Sequence, residues 1–301
     1  MKIALDPLIH ADVPVERFPH TAAEMGFECL DLCARDDFLP EYYPPRANAG
    51  RIRALKQGLR ETGVQLTSML VTYRWSSPFE DEREAAVRYW KRAIDIALEL
   101  ECQTVNSIFD RGPSPQRCNF RVGPEMAEEC ETAFWKSMNE LAPIFERQRL
   151  PLHLEPHPDD FVEANNLAVD LVQAIGSPFV KYLYCAPHTF HMGDDMAAML
   201  RYAAPVLAQV HVADTFNHKA GWRYIVNPAG STARVHQHLC IGEGEIDWDL
   251  FFKTLSEIGF DGLITSQVFA YLPDKAVQTS RFMHERIHHY VDKYGIGKPR
   301  S

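Results

Sequence analysis

A closed barrel of eight parallel strands with eight covering helices, (β/α)8, is the fold class this sequence predicts. Eight short apolar runs alternate with longer amphipathic ones along all 301 residues. Strict strand–helix alternation implies parallel strands joined by right-handed crossovers. Eight such units in ~250–300 residues match the size of that barrel. The rival, an open doubly wound sheet, should carry a Gly-x-Gly-x-x-Gly turn after its first strand, and the sequence has none there. No shift of composition marks a second unit, so residues 1–301 are expected to form one barrel domain.

Each unit has its own signals. Lys2 to Leu8 is the first strand, and a helical pattern through Phe18, Ala22, Ala23 and Met25 stops at Gly26. Phe27 to Ala34 is the second strand, Arg46 to Thr62 a helix ended by Gly63, and Gln65 to Trp75 the third strand. A helix from Glu82 to Glu101 opens on acids, and Gln103 to Asp110 is the fourth strand. A long loop, about Arg111 to Met126, precedes the helix Ala127 to Gln148, with Pro143 expected to kink it. Leu150 to Glu155 is the fifth strand, with a helix from Leu167 to Ile175. Val180 to Ala186 and Ala208 to Ala213 are strands six and seven, separated by a helix from Asp195 to Ala204. A second long loop spans about Asp214 to Glu245, and Asp247 caps the helix over Leu250 to Ile258. Gly262 to Phe269 is the eighth strand and Asp274 to Tyr294 the closing helix.

A net charge of -10 argues against nucleic acid or an acidic membrane surface as partner. No uncharged apolar run approaches the ~20 residues of a membrane span. Seven cysteines with no C-x-x-C pair read as reduced thiols in a cytoplasm.

The chemistry is expected around His153-Leu154-Glu155-Pro156-His157-Pro158. Alternation places His153 and Glu155 on one strand face, and the prolines put the carboxylate at the strand's C-terminal end. That end of a barrel carries the active site. The last four strands each end in a group able to bind a metal: Glu155, His188, His211 and Gln267. One carboxylate, two imidazoles and an amide oxygen suit a divalent Mn, Co, Zn or Fe(II) ion. Each residue has a bland alternative as a paired acid, a core histidine or a polar plug. His153 is a second catalytic candidate, able to exchange a proton near neutral pH. Arg74 and Trp75, at the end of strand three, and Asn106 on strand four are candidates for holding a hydroxylated ring. Cys185 is read as facing a helix, one step off the inward parity of Tyr184 and Ala186. The long loops carry Arg111, Arg117, Arg121, Lys219, Arg223, Arg234, His236 and His238, expected as a solvated basic rim able to meet an anionic ligand.

Several runs resemble known proteins. His188-Thr189-Phe190-His191-Met192, His211-Val212-Ala213-Asp214 and Gly242-Glu243-Gly244-Glu245-Ile246-Asp247-Trp248 resemble motifs of ketose 3-epimerases in the xylose-isomerase-like barrel superfamily. Tyr73-Arg74-Trp75-Ser76, Leu154-Glu155-Pro156-His157-Pro158-Asp159-Asp160 and Arg223-Tyr224-Ile225-Val226-Asn227-Pro228 are similar to the IolH-type proteins of inositol-catabolism clusters. The resemblance implies a metal at the barrel mouth, manganese first, and enediolate chemistry on a keto-sugar or inosose. The epimerases hold their metal with Glu, Asp, His and Glu, which by position fall on Glu155, His188, His211 and Gln267. An acid is missing at two of the four. Gln267 cannot be a base, so a one-base reaction gains ground, with His153, His157 or His191 as further proton-handling or substrate-binding groups. Relatives form dimers or tetramers, but no interface signal is legible here. The expected function is a metal-dependent isomerase or epimerase. The alternatives are a lyase acting on a 3-keto-sugar or 3-keto-glycoside and a non-catalytic sugar-binding relative.

Overall fold

The computed structural model describes residues 1–117, 124–190, 193, 195–217 and 236–298. Its strands are β1 (Lys2–Leu5), β2 (Cys29–Leu32), β3 (Gln65–Met69), β4 (Val105–Ile108), β5 (Leu152–Glu155), β6 (Val180–Cys185), β7 (Leu207–Val212) and β8 (Leu263–Ser266). They pair in parallel in the order β3-β2-β1-β8-β7-β6-β5-β4. Backbone hydrogen bonds close the ring between its two ends. Gln103 N–H donates to Leu66 O and Thr104 N–H to Thr67 O, both at 3.1 Å, and Val71 N–H donates to Asn106 O at 2.9 Å. The sheet is therefore the expected barrel.

The helices are α1 (Phe18–Glu24), α2 (Ala49–Thr62), α3 (Glu80–Glu99), α4 (Pro124–Gln148), α5 (Asn165–Ile175), α6 (Ala186–Phe190), α7 (Met196–Ala203), α8 (Trp248–Glu257) and α9 (Ala276–Tyr294). Asn48, Asp195 and Asp247 cap α2, α7 and α8 by accepting the backbone N–H of the third helical residue. Gly63 and Gly176 end α2 and α5 with φ of 74° and 68°, backbone that glycine adopts without a Cβ clash. The strands are shorter than the apolar runs that announce them. β1 stops because Asp6 accepts the Leu8 N–H and starts a 3-10 turn at Pro7–Ile9. β6 passes straight into α6, whose five residues are too few to show a helical period.

An apolar layer lies between barrel and helices. Trp75, Trp90, Phe109, Phe134 and Phe145 are fully buried there, each side chain worth roughly 1.5–3 kcal/mol of burial. Inside the barrel a small apolar plug of Ala4, Cys29 and Leu263 fills the end away from the loops. The six described cysteines are all free and buried. No helix of the described residues is long and apolar enough to cross a membrane.

Candidate metal centre at the barrel mouth

Above the apolar plug lies a polar layer organised by Asp31 of β2, which is 3% exposed. Asn106 Nδ2 from β4 donates to its carboxylate at 2.9 and 3.2 Å, and to Ser68 Oγ at 2.8 Å. Gln209 Nε2 from β7 donates at 2.8 Å and Thr265 Oγ1 from β8 at 3.0 Å. His153 joins through Nδ1, 2.8 Å from Gln209 Oε1, and burial pulls its pKa down to about 4, so the ring is neutral. Asn106 and His153 are thus committed to this interior layer, with contacts that hold strands together, rather than to a ligand in the mouth.

Asp31 also reaches upward. Its Oδ2 lies 3.5 Å from His211 Nε2. A carboxylate beside that nitrogen is the second-sphere arrangement of metal-binding histidines, and Gln209 Nε2 lies closer to it, at 3.2 Å. His211 Nδ1 faces Glu155 Oε2 at 3.3 Å, and His188 Nδ1 faces the same oxygen at 3.4 Å. Neither nitrogen nor that oxygen makes a hydrogen bond, although all three are buried. Orphaned buried polar atoms are rare and call for an explanation. The two separations from Glu155 Oε2 suggest one, because ligand atoms on a tetrahedral ion with bonds of ~2.0–2.1 Å lie roughly 3.4 Å apart.

Gln267, just past β8, places Oε1 3.6 Å from Cys185 Sγ. Glu155, Cys185 and His211 present ligand atoms all within 4.8 Å of one another, and so do Cys185, His188 and His238. The four residues expected to hold a metal therefore do meet, and two more meet with them. The electrostatics favour a cation. Burial opposes ionising Glu155, but His211 and His188 beside it outweigh that and hold its pKa well below the carboxylate range. Burial likewise opposes charge on His188, and Cys185 and Glu155 overcome it, pushing its pKa up to about 10. The carboxylate thus attracts positive charge, as protons on the imidazoles or as a divalent ion in their place.

Histidines form the outer rim. His157 and His188 stand with ring centroids 4.4 Å apart, and His236 lies 4.9 and 5.0 Å from them. His157 Nδ1 donates to Pro158 O at 2.7 Å, which leaves Nε2 as its acceptor nitrogen. His238 stacks on Phe269 at 4.0 Å and donates from Nδ1 to Gln267 O at 2.8 Å, fixing the backbone that carries Gln267.

Several expectations are corrected. Cys185 faces the barrel interior, in register with His211, while Tyr184 points outward to Phe251 of α8, 6.2 Å between centroids. In a parallel strand both faces are apolar, so its inward parity is hard to read from sequence. Trp75 is a core residue, stacked on Trp90 at 4.5 Å with Nε1 donating to Phe109 O, and has no face for a substrate. His236 and His238 are 8% and 1% exposed, so they line the mouth and are no solvated rim. Arg74 lies over the Tyr42 ring at 4.1 Å and donates to Gly112 O and Pro113 O, bracing two loops. His191, Arg121, Lys219, Arg223 and Arg234 lie outside the described residues.

Asp214 and the Gly242–Trp248 stretch explain one another. Asp214 accepts hydrogen bonds from Gly242 N, Ile246 N and Trp248 Nε1 at 2.8–3.1 Å. A Cβ on Gly244 would stand 2.4 Å from Asp214 Oδ1 and from Thr215 O, so only glycine fits there. This motif secures a loop and supplies no ligand.

A family model for xylose isomerase-like TIM barrels matches residues 19–286. The chain belongs to this family. It is 24% identical to an inosose isomerase of Bacillus velezensis, over 56% of this chain and 58% of that protein. Two solved structures superpose along nearly the whole length. One is a D-tagatose 3-epimerase-like protein, with TM-score 0.75, 18% identity and 98% of both chains covered. The other is the IOLI protein with a bound zinc atom, with TM-score 0.75, 16% identity, and 98% of this chain and 99% of that one covered. The barrel fold is thus shared with both structures.

Proposed function

We propose that this chain is a metal-dependent isomerase or epimerase acting through an enediolate on a keto-sugar or inosose, within cytoplasmic inositol or sugar catabolism. One observation carries the reading. Cys185 gathers Glu155 and His211 on one side and His188 on the other at the C-terminal ends of consecutive strands, with Gln267 beside it, and the facing atoms of Glu155, His188 and His211 make no hydrogen bond. The resemblance to IolH-type proteins and the inosose isomerase relative support the substrate class.

A divalent ion held by these residues supplies Lewis acidity, polarising a ketone and favouring the enediolate. The chain's own groups move the protons. Glu155, ionised and innermost, takes the hydrogen from the carbon beside the carbonyl and returns it to the former carbonyl carbon. The hydroxyl proton must cross in the same sense, from the hydroxyl oxygen to the former carbonyl oxygen. His157, with Nε2 as acceptor, stands among the rim imidazoles where it can carry that proton. This one-base route moves a carbonyl by one carbon and needs no carboxylate at position 267. His153, committed to Gln209 one layer below, positions the strand and exchanges no proton with substrate.

The test is incubation with inososes and ketohexoses in deuterium oxide, followed by proton NMR. Deuterium at the exchanging carbon and a shifted carbonyl, both lost in Glu155→Gln, support the reading. An unsaturated product points to a lyase, and binding without exchange to a non-catalytic relative.

A further inference from the structure

We propose that Cys185 binds the metal as a thiolate and makes the centre select zinc-class over manganese-class ions. This rests on the metal reading above, and it departs from the manganese expected from sequence. Cys185 ends β6 opposite His211 and is 1% exposed. Its sulfur lies within 4.8 Å of the ligand atoms of Glu155 and His211, and equally of His188 and His238. Among the described residues three such groups occur, and Cys185 belongs to two of them, as His188 does; Cys185 is the one that links the Glu155–His211 pair to the His188–His238 pair. Its hydrogen-bond contact there is a 3.6 Å approach to Gln267 Oε1. Cys29, by contrast, sits in the apolar plug with Ala4 and Leu263, away from any such donor set.

The chemistry follows from softness. Carboxylate and amide oxygens serve manganese well, whereas a thiolate favours zinc, cobalt and iron. A neutral thiol must give its proton to solvent as the sulfur–metal bond forms. With one thiolate and one carboxylate, a divalent ion then leaves the inner set electrically neutral. This also answers the shortage of acids noted in the sequence, because the thiolate supplies the second negative charge. Glu155 can accordingly act as a base without being the only anion that holds the ion.

The test uses the full chain stripped by a chelator and reloaded with cobalt(II). An intense near-ultraviolet sulfur-to-cobalt band is expected, absent in Cys185→Ser. In competition, zinc should outbind manganese, and Cys185→Asp should shrink that preference by roughly 10–100-fold. X-ray absorption at the zinc edge of the wild-type chain needs no variant and should show one sulfur at ~2.3 Å. Bound metal with only nitrogen and oxygen neighbours, or equal competition by manganese, would overturn the thiolate and leave the enediolate reading standing. Failure of zinc, cobalt and manganese alike to bind would overturn both.

Discussion

Replacing Asp31 with alanine tests whether the polar layer beneath the mouth is one connected unit. Asp31 accepts from Asn106 Nδ2, Gln209 Nε2 and Thr265 Oγ1 at 2.8–3.2 Å and sits beside His211. Each hydrogen bond to a charged acceptor is worth roughly 1.5–3 kcal/mol, so three represent about 6 kcal/mol. Part of that is offset, because a buried carboxylate carries its own desolvation cost of several kcal/mol. Asn106 also keeps Ser68, and Gln209 keeps Thr265. The net loss expected is about 4 kcal/mol, within the range seen on removing one partner of a buried charged pair. For a chain of this length that corresponds to a melting-temperature drop of roughly 6 °C. The assay is thermal unfolding of the chelator-treated protein followed by circular dichroism. With Asp31 gone, His211 loses the carboxylate beside its Nε2, and zinc affinity should fall roughly 10–100-fold. A variant that melts within about 1 °C of wild type and binds zinc unchanged would refute the layer's role.

Other outcomes follow from the same coordinates. Trp75→Ala should cost about 3–5 kcal/mol of stability through lost stacking on Trp90, read by denaturant titration. Burial pushes the pKa of Asp110 up to about 7 from its ordinary 3.8, and its carboxylate is held by Ser76 and the Arg111 N–H. An unfolded chain releases that proton first, so this group costs stability as pH rises from about 4 to 7, with a plateau above. The advantage of Asp110→Asn over wild type should grow across that window by at most roughly 4 kcal/mol. A melting-temperature difference independent of pH would contradict it. Gly244→Ala should lower the melting temperature, because its Cβ would meet Asp214 and Thr215 at 2.4 Å. Zinc affinity should change much less, because Asp214 and the Gly242–Trp248 stretch supply no ligand.

Much of the architecture was legible because local signals agree with the global fold. Apolar runs mark all eight units and glycine or aspartate boundaries most of them, and the alternation at His153 and Glu155 gives the correct inward face. Glu155, His188, His211 and Gln267 could be singled out because each lies at or just past a strand end. Cys185 could not, since β6 is apolar on both faces and its phase depends on pairing with β7. His236 and His238 lie in a long loop without periodicity, and only its fold onto the mouth buries them. Trp75 and Asn106 look like ligand-facing residues from sequence. Their partners, Trp90 and Asp31, are contributed by distant segments.

The most direct test of the central claim is the metal content of the purified chain beside a Glu155→Ala variant, measured by elemental analysis after equilibration with zinc. The account predicts about one ion per chain, lost in the variant, because Glu155 is, among the described residues, the carboxylate that faces both imidazoles. No ion in either protein, or an ion retained equally without Glu155, would contradict it.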